Sequence, residues 1–409
     1  MVSAAVETAV GLRSWIEVSE ERLAENLRVL AEAAGTETEV LAVVKANAYG
    51  HGAEICSAAL ARAGAKWFGV TDVAEGARVR GALDAAGFPP QRSKIAGGPG
   101  FADAKILVMC GFEPEEVAGI REHRLTPVVW RAEQVEWLRG PGVGVHVEAD
   151  TGMGRQGVRA GAELDAVLDA MGEAGLPLDG IFTHFCAAEV AGSELTRTQQ
   201  LRFATAIAQV RERGLRPGWV HAGSSSSVDD PLGNGGWLAE LAKSVGARAM
   251  VRCGLALYGY CLEIEGRDAS SKVRAALRPV MAWKTRVMDV RELAAGETVG
   301  YNATFTAKEP MRVALLPVGY ADGLRRELSG TNEKPGGWVM IRGRDGSNQR
   351  ARIVGRVSMS LTVVDVTGIE GVRVGDEVVL LGDGVTADDH ARIAGTIPYE
   401  ILCGVRVAS

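Results

Sequence analysis

From about residue 40 to residue 255, short β-branched and aliphatic runs alternate with amphipathic stretches. The apolar runs are LAVVKA (41–46), WFGVT (67–71), KILVMC (105–110), TPVVW (126–130), VGVHVEA (143–149), GIFTHF (180–185), GWVHA (218–222) and ARAMVRC (247–253). Near-continuous apolar runs of this length predict strands buried on both faces. Between them, Leu164, Val167, Leu168 and Met171 fall on one helical face, and Phe203, Ile207 and Val210 fall on another. Eight strand–helix units predict an α/β fold with a parallel sheet closed into a (β/α)8 TIM-type barrel, rather than an open doubly wound sheet.

After about residue 275 the helical patterns thin out. MAWKTRVMDV, RVALLPVGYADG, RIVGRVSMSLTVVDVT and DEVVLLG are separated by turn residues, with hairpin or loop signals at Pro335-Gly336-Gly337 and Gly343-Arg344-Asp345-Gly346. This predicts a mainly antiparallel β-domain over 271–409, following a barrel over 12–270.

Composition narrows the possibilities. A chain of 409 residues with 47% hydrophobic and 23% charged positions builds a large core and more than one domain. The net charge of −6 comes from mixed signs without a basic stripe, which disfavours a nucleic-acid partner. The six cysteines form no C-x-x-C and read as free thiols. No two histidines stand at i, i+4, so no metal site is expected. No run is long enough to cross a bilayer, and MVSAAVETAV lacks the basic start of a secretory signal. The expectation is a soluble cytoplasmic protein with no membrane partner.

A barrel collects its chemistry where its strands end. Lys45 closes the first run, Arg155 follows the fifth, His184 lies near the end of the sixth, Ser224 and Ser225 follow the seventh, and Arg252 and Gly254 end the eighth. A lysine at the end of an apolar strand is desolvated, which favours the free amine that forms a Schiff base. Loops after the last two strands of a barrel often bind phosphate, and here they offer serine hydroxyls and the amides around Gly254. Tyr49 adds a further donor. An imine-forming lysine beside a phosphate cup suggests pyridoxal 5'-phosphate. Against this, Gly152-Met153-Gly154-Arg155-Gln156-Gly157 matches a dinucleotide fingerprint, and Asp179 stands where a ribose partner would. That motif follows the fifth strand instead of the first and is weak alone.

The segments AVVKANAYGHG, DTGMGRQG, THF, MVRCGLALYG, VGYNATF, PVGYADG, GRVSMS and PYEILCG, in this order, resemble the alanine racemase family across nearly the whole chain. The resemblance implies a type III pyridoxal-phosphate enzyme that acts as a homodimer with shared active sites and racemises a small amino acid, most simply alanine. Lys45 would carry the cofactor and act as one base; Tyr301, from the partner subunit, would be the other. Tyr49, Ser225 and Tyr399, with the amides of Gly254 and Leu255, would hold the phosphate. Arg252 would face the pyridine nitrogen, with His221 supporting it and His184 linking it to Tyr301. Arg155 and the partner's Met359 would contact substrate. A base on each face of the α-carbon serves both directions of a racemisation.

The chain departs from the family at several positions. Many relatives carry a lysine, open to carbamylation, where Glu148 stands; Glu148 is expected to supply the anion directly and to orient Arg155 by a charge-assisted hydrogen bond. The four-serine run leaves Ser224 and Ser225 as alternatives for the phosphate. Ser358 and Ser360 replace a frequent cysteine and a usual aspartate, which leaves room for serine or a broader set of amino acids as substrate. The remaining alternatives are a related amino-acid decarboxylase, disfavoured by Arg252 and Tyr301, and a non-catalytic pyridoxal-phosphate carrier.

Overall fold

A strand that is apolar on both faces needs neighbours on both sides and cover above and below, and closure into a ring removes the exposed edges. The computed structural model describes residues 13–87, 104–228, 235–267, 271–343 and 346–407. The N-terminal leader reading, Arg344 and Asp345 lie outside them. All eight apolar runs form strands of one closed parallel barrel. After β1 (Ser14–Val18) these are β2 (Thr38–Val43), β3 (Trp67–Val70), β4 (Lys105–Val108), β5 (Thr126–Val129), β6 (Val145–Glu148), β7 (Leu178–Phe182), β8 (Trp219–His221) and β9 (Arg248–Cys253). The ring closes between β2 and β9, with Leu41 opposite Arg252.

The helices bury the stripes that the sequence marks. Ala162–Ala174 covers Leu164, Val167, Leu168 and Met171 and stops at Gly175, which is left-handed. Glu194–Glu212 covers Phe203, Ile207 and Val210 and is capped by Ser193, whose hydroxyl accepts from the Thr196 amide.

The C-terminal unit contains β10 (Met281–Arg286), β11 (Asp289–Leu293), β12 (Thr298–Val299), β13 (Phe305–Thr306), β14 (Met311–Leu316), β15 (Trp338–Arg342), β16 (Asn348–Ile353), β17 (Thr362–Asp365) and β18 (Glu377–Leu381). Its antiparallel sheet runs β1-β10-β18-β15-β16-β17-β14-β11, and β12 and β13 form a separate pair. Val299, Val313 and Val354 pack with Phe305 and Met311 in a small core. The N-terminal strand corrects the sequence-based division. Ser14 pairs with Thr285 and Val18 with Met281, so residues counted with the barrel belong to the second sheet. A lone strand carries no mark of its partner when that partner lies far along the chain. Tyr49–His51 also groups with the unit from Pro279 onward, while Glu20–Ala48 and Gly52–Arg278 make the barrel unit.

The barrel interior is not purely apolar. His146 on β6, His221 on β8 and Arg252 on β9 are all buried. Burial takes His146 down to about 3, helped by the positive charges of Lys105 and Arg252. Burial likewise holds His221 well below the ordinary imidazole range, with His146 and Arg252 adding to the effect. An unfolded chain protonates both rings below about pH 6.5, while the folded barrel keeps them neutral. The unfolded state thus binds more protons in this window, so stability rises with pH and is lost as pH falls, by up to about 1.4 kcal/mol per pH unit for each ring. Urea titrations should show this acid limb below about pH 6.5, and it should be shallower in His146→Asn. Equal limbs in the two proteins would contradict a neutral buried His146.

Candidate active site

β2 ends at Val43, so Lys45 stands beyond the strand and is half-buried instead of enclosed within an apolar run. This corrects the sequence-based placement. From Ala46 to Tyr49 four consecutive non-glycine residues have φ between 53° and 55°. Left-handed backbone costs an L-residue roughly 1–2 kcal/mol, so something must hold the turn. Buried Glu75 does so with both carboxylate oxygens: Oε1 accepts from the Asn47 amide at 2.8 Å and Oε2 from the Thr71 amide at 2.9 Å. Asn47 Oδ1 then accepts from the Ala53 amide at 2.9 Å, which fixes the start of the helix Ala53–Arg62. Lys45 thereby stands two residues before an amide held by Glu75.

Arg252 lies at the centre of the barrel's polar groups. A guanidinium has only donors, and each of its neighbours is an acceptor. Nη1 donates to His221 Nδ1 at 3.2 Å, and Nη2 donates to the Thr183 carbonyl at 2.8 Å and to His184 Nδ1 at 3.1 Å. The guanidinium also sits 4.8 Å from the Phe182 ring centroid, and that ring stacks on His221 at 4.5 Å. Burial lowers Arg252 to about 10, so it stays cationic near neutral pH. Burial, with the charges of Arg252, Arg155 and Lys45, takes His184 to about 3. Because His184 Nδ1 must accept, its proton sits on Nε2, which has no partner among the described residues.

Ser225, not Ser224, meets the chain at the end of β9. Its buried hydroxyl accepts from the amides of Gly254 at 3.2 Å and Ala256 at 3.1 Å. Ser224 instead uses its amide on Ser227 Oγ at 3.2 Å. The Leu255 N–H, between the two amides that Ser225 binds, has no acceptor among the described residues. Hydroxyl and amide donors together form a cup suited to a phosphate. The Arg252 Nε–H has no acceptor among the described residues either and suits a neutral ring nitrogen, so the residues present fit pyridoxal phosphate.

Glu148 departs from expectation. It is buried and accepts a hydrogen bond from Gln156 Nε2, whereas exposed Arg155 makes no hydrogen bond or ion pair among the described residues. Gln156 also donates to the Met109 carbonyl at 2.9 Å. The expected bond from Glu148 to Arg155 is thus replaced by one to the next residue, whose amide can satisfy a buried carboxylate without burying a second charge. Burial raises Glu148 above the usual carboxylate range; the Gln156 bond and the charges of Arg252 and Arg155 oppose this. The glycine motif is occupied in a different way. Asp150 Oδ1 accepts from the amides of Gly152 at 3.0 Å and Gly154 at 3.1 Å, and Asp179 lies 3.9 Å from Lys105 Nζ. Neither is left for a dinucleotide.

In the C-terminal unit, Tyr301 follows Gly300 (φ 74°) and is 68% exposed; Met359 is 60% exposed. Tyr301 lines a groove of about 750 Å³ with Tyr320, Arg325, Arg356, Ser358 and Arg406. Tyr399, on the helix Pro398–Gly404, has its ring 5.9 Å from that of Tyr49.

Sequence reasoning missed His146, Gln199, Gln156 and Glu75. His146 was legible, since it stands two residues before Glu148 and shares its strand face. Gln199 gave no local signal: from a helix it donates to the His184 carbonyl at 2.9 Å and to Thr151 Oγ1 at 3.2 Å.

Comparisons with known proteins identify the family. Residues 18–261 match the family model for the alanine racemase N-terminal domain, and 280–408 match that for the C-terminal domain. Alanine racemase 2 of Caldanaerobacter subterraneus is 32% identical over 402 residues, covering 95% of this chain and 92% of its own. The alanine racemase structure from Streptomyces coelicolor A3(2) superposes with a TM-score of 0.78 at 31% identity, covering 97% of this chain and 96% of that one. A Bartonella henselae alanine racemase with covalently bound pyridoxal phosphate gives a TM-score of 0.74 at 25% identity, over 96% of this chain and 97% of that one. Matched in both domains and over nearly its full length, the chain belongs to the alanine racemase family, a family of pyridoxal-phosphate-dependent isomerases.

Proposed function

We propose that the chain interconverts L- and D-alanine in a pyridoxal-phosphate-dependent two-base reaction. The observation that carries the reading is the Arg252 cluster: a buried guanidinium held by His184, His221 and Thr183, on the strand that leads into the Ser225–Gly254 cup. The relatives compared are alanine racemases, which favours this over the decarboxylase and carrier alternatives.

When bound, pyridoxal phosphate supplies the electron sink that acidifies the α-proton of the amino acid attached to it. Lys45 Nζ would carry the cofactor and then move a proton on one face of the substrate. Tyr301 Oη, from the partner subunit, would do so on the other; the exposure of Tyr301 and Met359 supports a role outside their own chain. The His184 Nε2–H is a donor suited to a phenolate oxygen. Ser225 and the Leu255 amide, with the hydroxyls of Tyr49 and Tyr399, would hold the phosphate, and the Gly254 amide, which donates to Ser225 Oγ, would orient that hydroxyl. Arg252, backed by His221, would donate a hydrogen bond to the ring nitrogen while keeping its own proton, and a ring left unprotonated would take up less charge and disfavour transamination. Arg155 and the partner's Met359 would border the substrate.

Borohydride treatment of the loaded protein should fix the chromophore on a Lys45 peptide. Tyr301→Phe should lower racemisation by about 10²–10⁴-fold while solvent deuterium still enters one alanine enantiomer; symmetric exchange would exclude the phenol as second base. Lys45→Ala mixed with Tyr301→Phe should recover about a quarter of wild-type activity if each site draws on both subunits, because half the dimers would be mixed and hold one intact site. A site within one chain would recover none.

Glu148 is coupled electrostatically to Arg252 and Arg155. Glu148→Gln should raise KM for alanine by roughly three- to tenfold, the worth of one charge-assisted interaction, with a smaller change in kcat. Unchanged steady-state constants would remove Glu148 from the site.

A further inference from the structure

The polar column behind Arg252 ends on a residue that no step of the proposed reaction uses. His146 Nδ1 lies 2.8 Å from His221 Nε2, and His221 Nδ1 lies 3.2 Å from Arg252 Nη1. We propose that His146 is a positioning residue: its Nδ1 holds His221 in the Nε2–H form, so that His221 keeps a bare Nδ1 towards Arg252. The proposal rests on the reading of Arg252 as the partner of the cofactor ring.

The hydrogen-bond chain permits one assignment. Arg252 can only donate, so His221 Nδ1 carries a lone pair and its proton is on Nε2. That N–H needs an acceptor, so His146 Nδ1 is bare and the His146 proton is also on Nε2. His146 Nε2 is buried and has no partner among the described residues, which makes it the end of the chain. The opposite tautomer of His221 would turn an N–H against the guanidinium, and a protonated His221 would set two like charges 3.2 Å apart in a site without water's dielectric.

The space around His146 is a second, independent observation. A Cβ on Gly180 would lie 2.6 Å from His146 Cε1, 2.7 Å from Nδ1 and 2.8 Å from Nε2. Gly180 has no positive φ, so the glycine is required for space and not for backbone conformation. Trp67 lies against the ring at 5.2 Å between centroids. The barrel interior is therefore shaped around an imidazole held against His221.

The test is ¹⁵N NMR of histidine-labelled intact protein together with alanine kinetics of His146→Leu and His146→Asn. In the wild type both rings should stay neutral and Nε2-protonated from about pH 8 down to about pH 5. His146→Leu removes the acceptor: the His221 signals should change, and kcat should fall about tenfold, the worth of one buried hydrogen bond, with KM for alanine nearly unchanged. His146→Asn places an amide oxygen where Nδ1 stands and should restore most of kcat and the His221 signals. An Nδ1–H on either wild-type ring would overturn the proposal even if the Leu variant fails to fold. Wild-type kcat with unaltered His221 signals in His146→Leu would overturn it equally. If the tautomers hold but the loaded wild type does not racemise alanine, the functional reading falls and the His146–His221 assignment stands.

Discussion

The barrel depends on keeping one guanidinium inside it. An unpaired charge in a protein interior costs several kcal/mol, and a guanidinium cannot shed its proton to escape that cost. Every group that faces Arg252 must then accept or polarise. The Thr183 carbonyl, two neutral imidazoles through Nδ1, and the face of Phe182 do so. The arrangement is directional. Because Arg252 can only give hydrogen bonds, it fixes the tautomers of His184 and His221, and through His221 that of His146.

The same constraint shapes the periphery. His184 is held for Arg252 by its backbone as well as its ring, since Gln199 grips its carbonyl from the helix Glu194–Glu212 and also donates to Thr151. Thr151 in turn shares a 2.7 Å hydrogen bond with Thr183, whose hydroxyl donates to the Ala149 carbonyl. The ends of β6 and β7 are thus tied together beside the residue that supplies Arg252 with a carbonyl. Rigid ties of this kind let a rim of side chains keep its geometry while its loops differ.

Much of this was legible in the sequence, and the exceptions share a cause. Eight β-branched runs produced eight strands because apolar residues on both faces leave a strand no other stable home. Lys45, His184, Arg252 and the Ser224–Ser225 pair were singled out because barrel chemistry collects at strand ends, and the structure ties His184 to Arg252 and Ser225 to the Gly254 amide. The left-handed turn at Ala46–Tyr49 was not legible: no glycine marks those positions, and the conformation is enforced from Glu75, on another helix. The pairing of β1 with β10 was hidden for a related reason, since hydrogen-bond register between distant segments is absent from local pattern. In each case a residue remote in sequence overrides what the local one prefers.

Glu148 shows how such constraints limit substitution. Its position lies on an inward strand face beside two arginines that both act on it electrostatically. A lysine there would set a third cation beside Arg155 and Arg252 at a buried position. A glutamate is attracted to both arginines, but burial works against its ionisation, and a donor that brings no charge of its own offsets that cost. Gln156 is that donor, anchored by the Met109 carbonyl at its other N–H. The glutamate at position 148 is therefore intelligible together with the amide at 156, while Arg155, between them in the chain, acts on it through charge and not through a hydrogen bond.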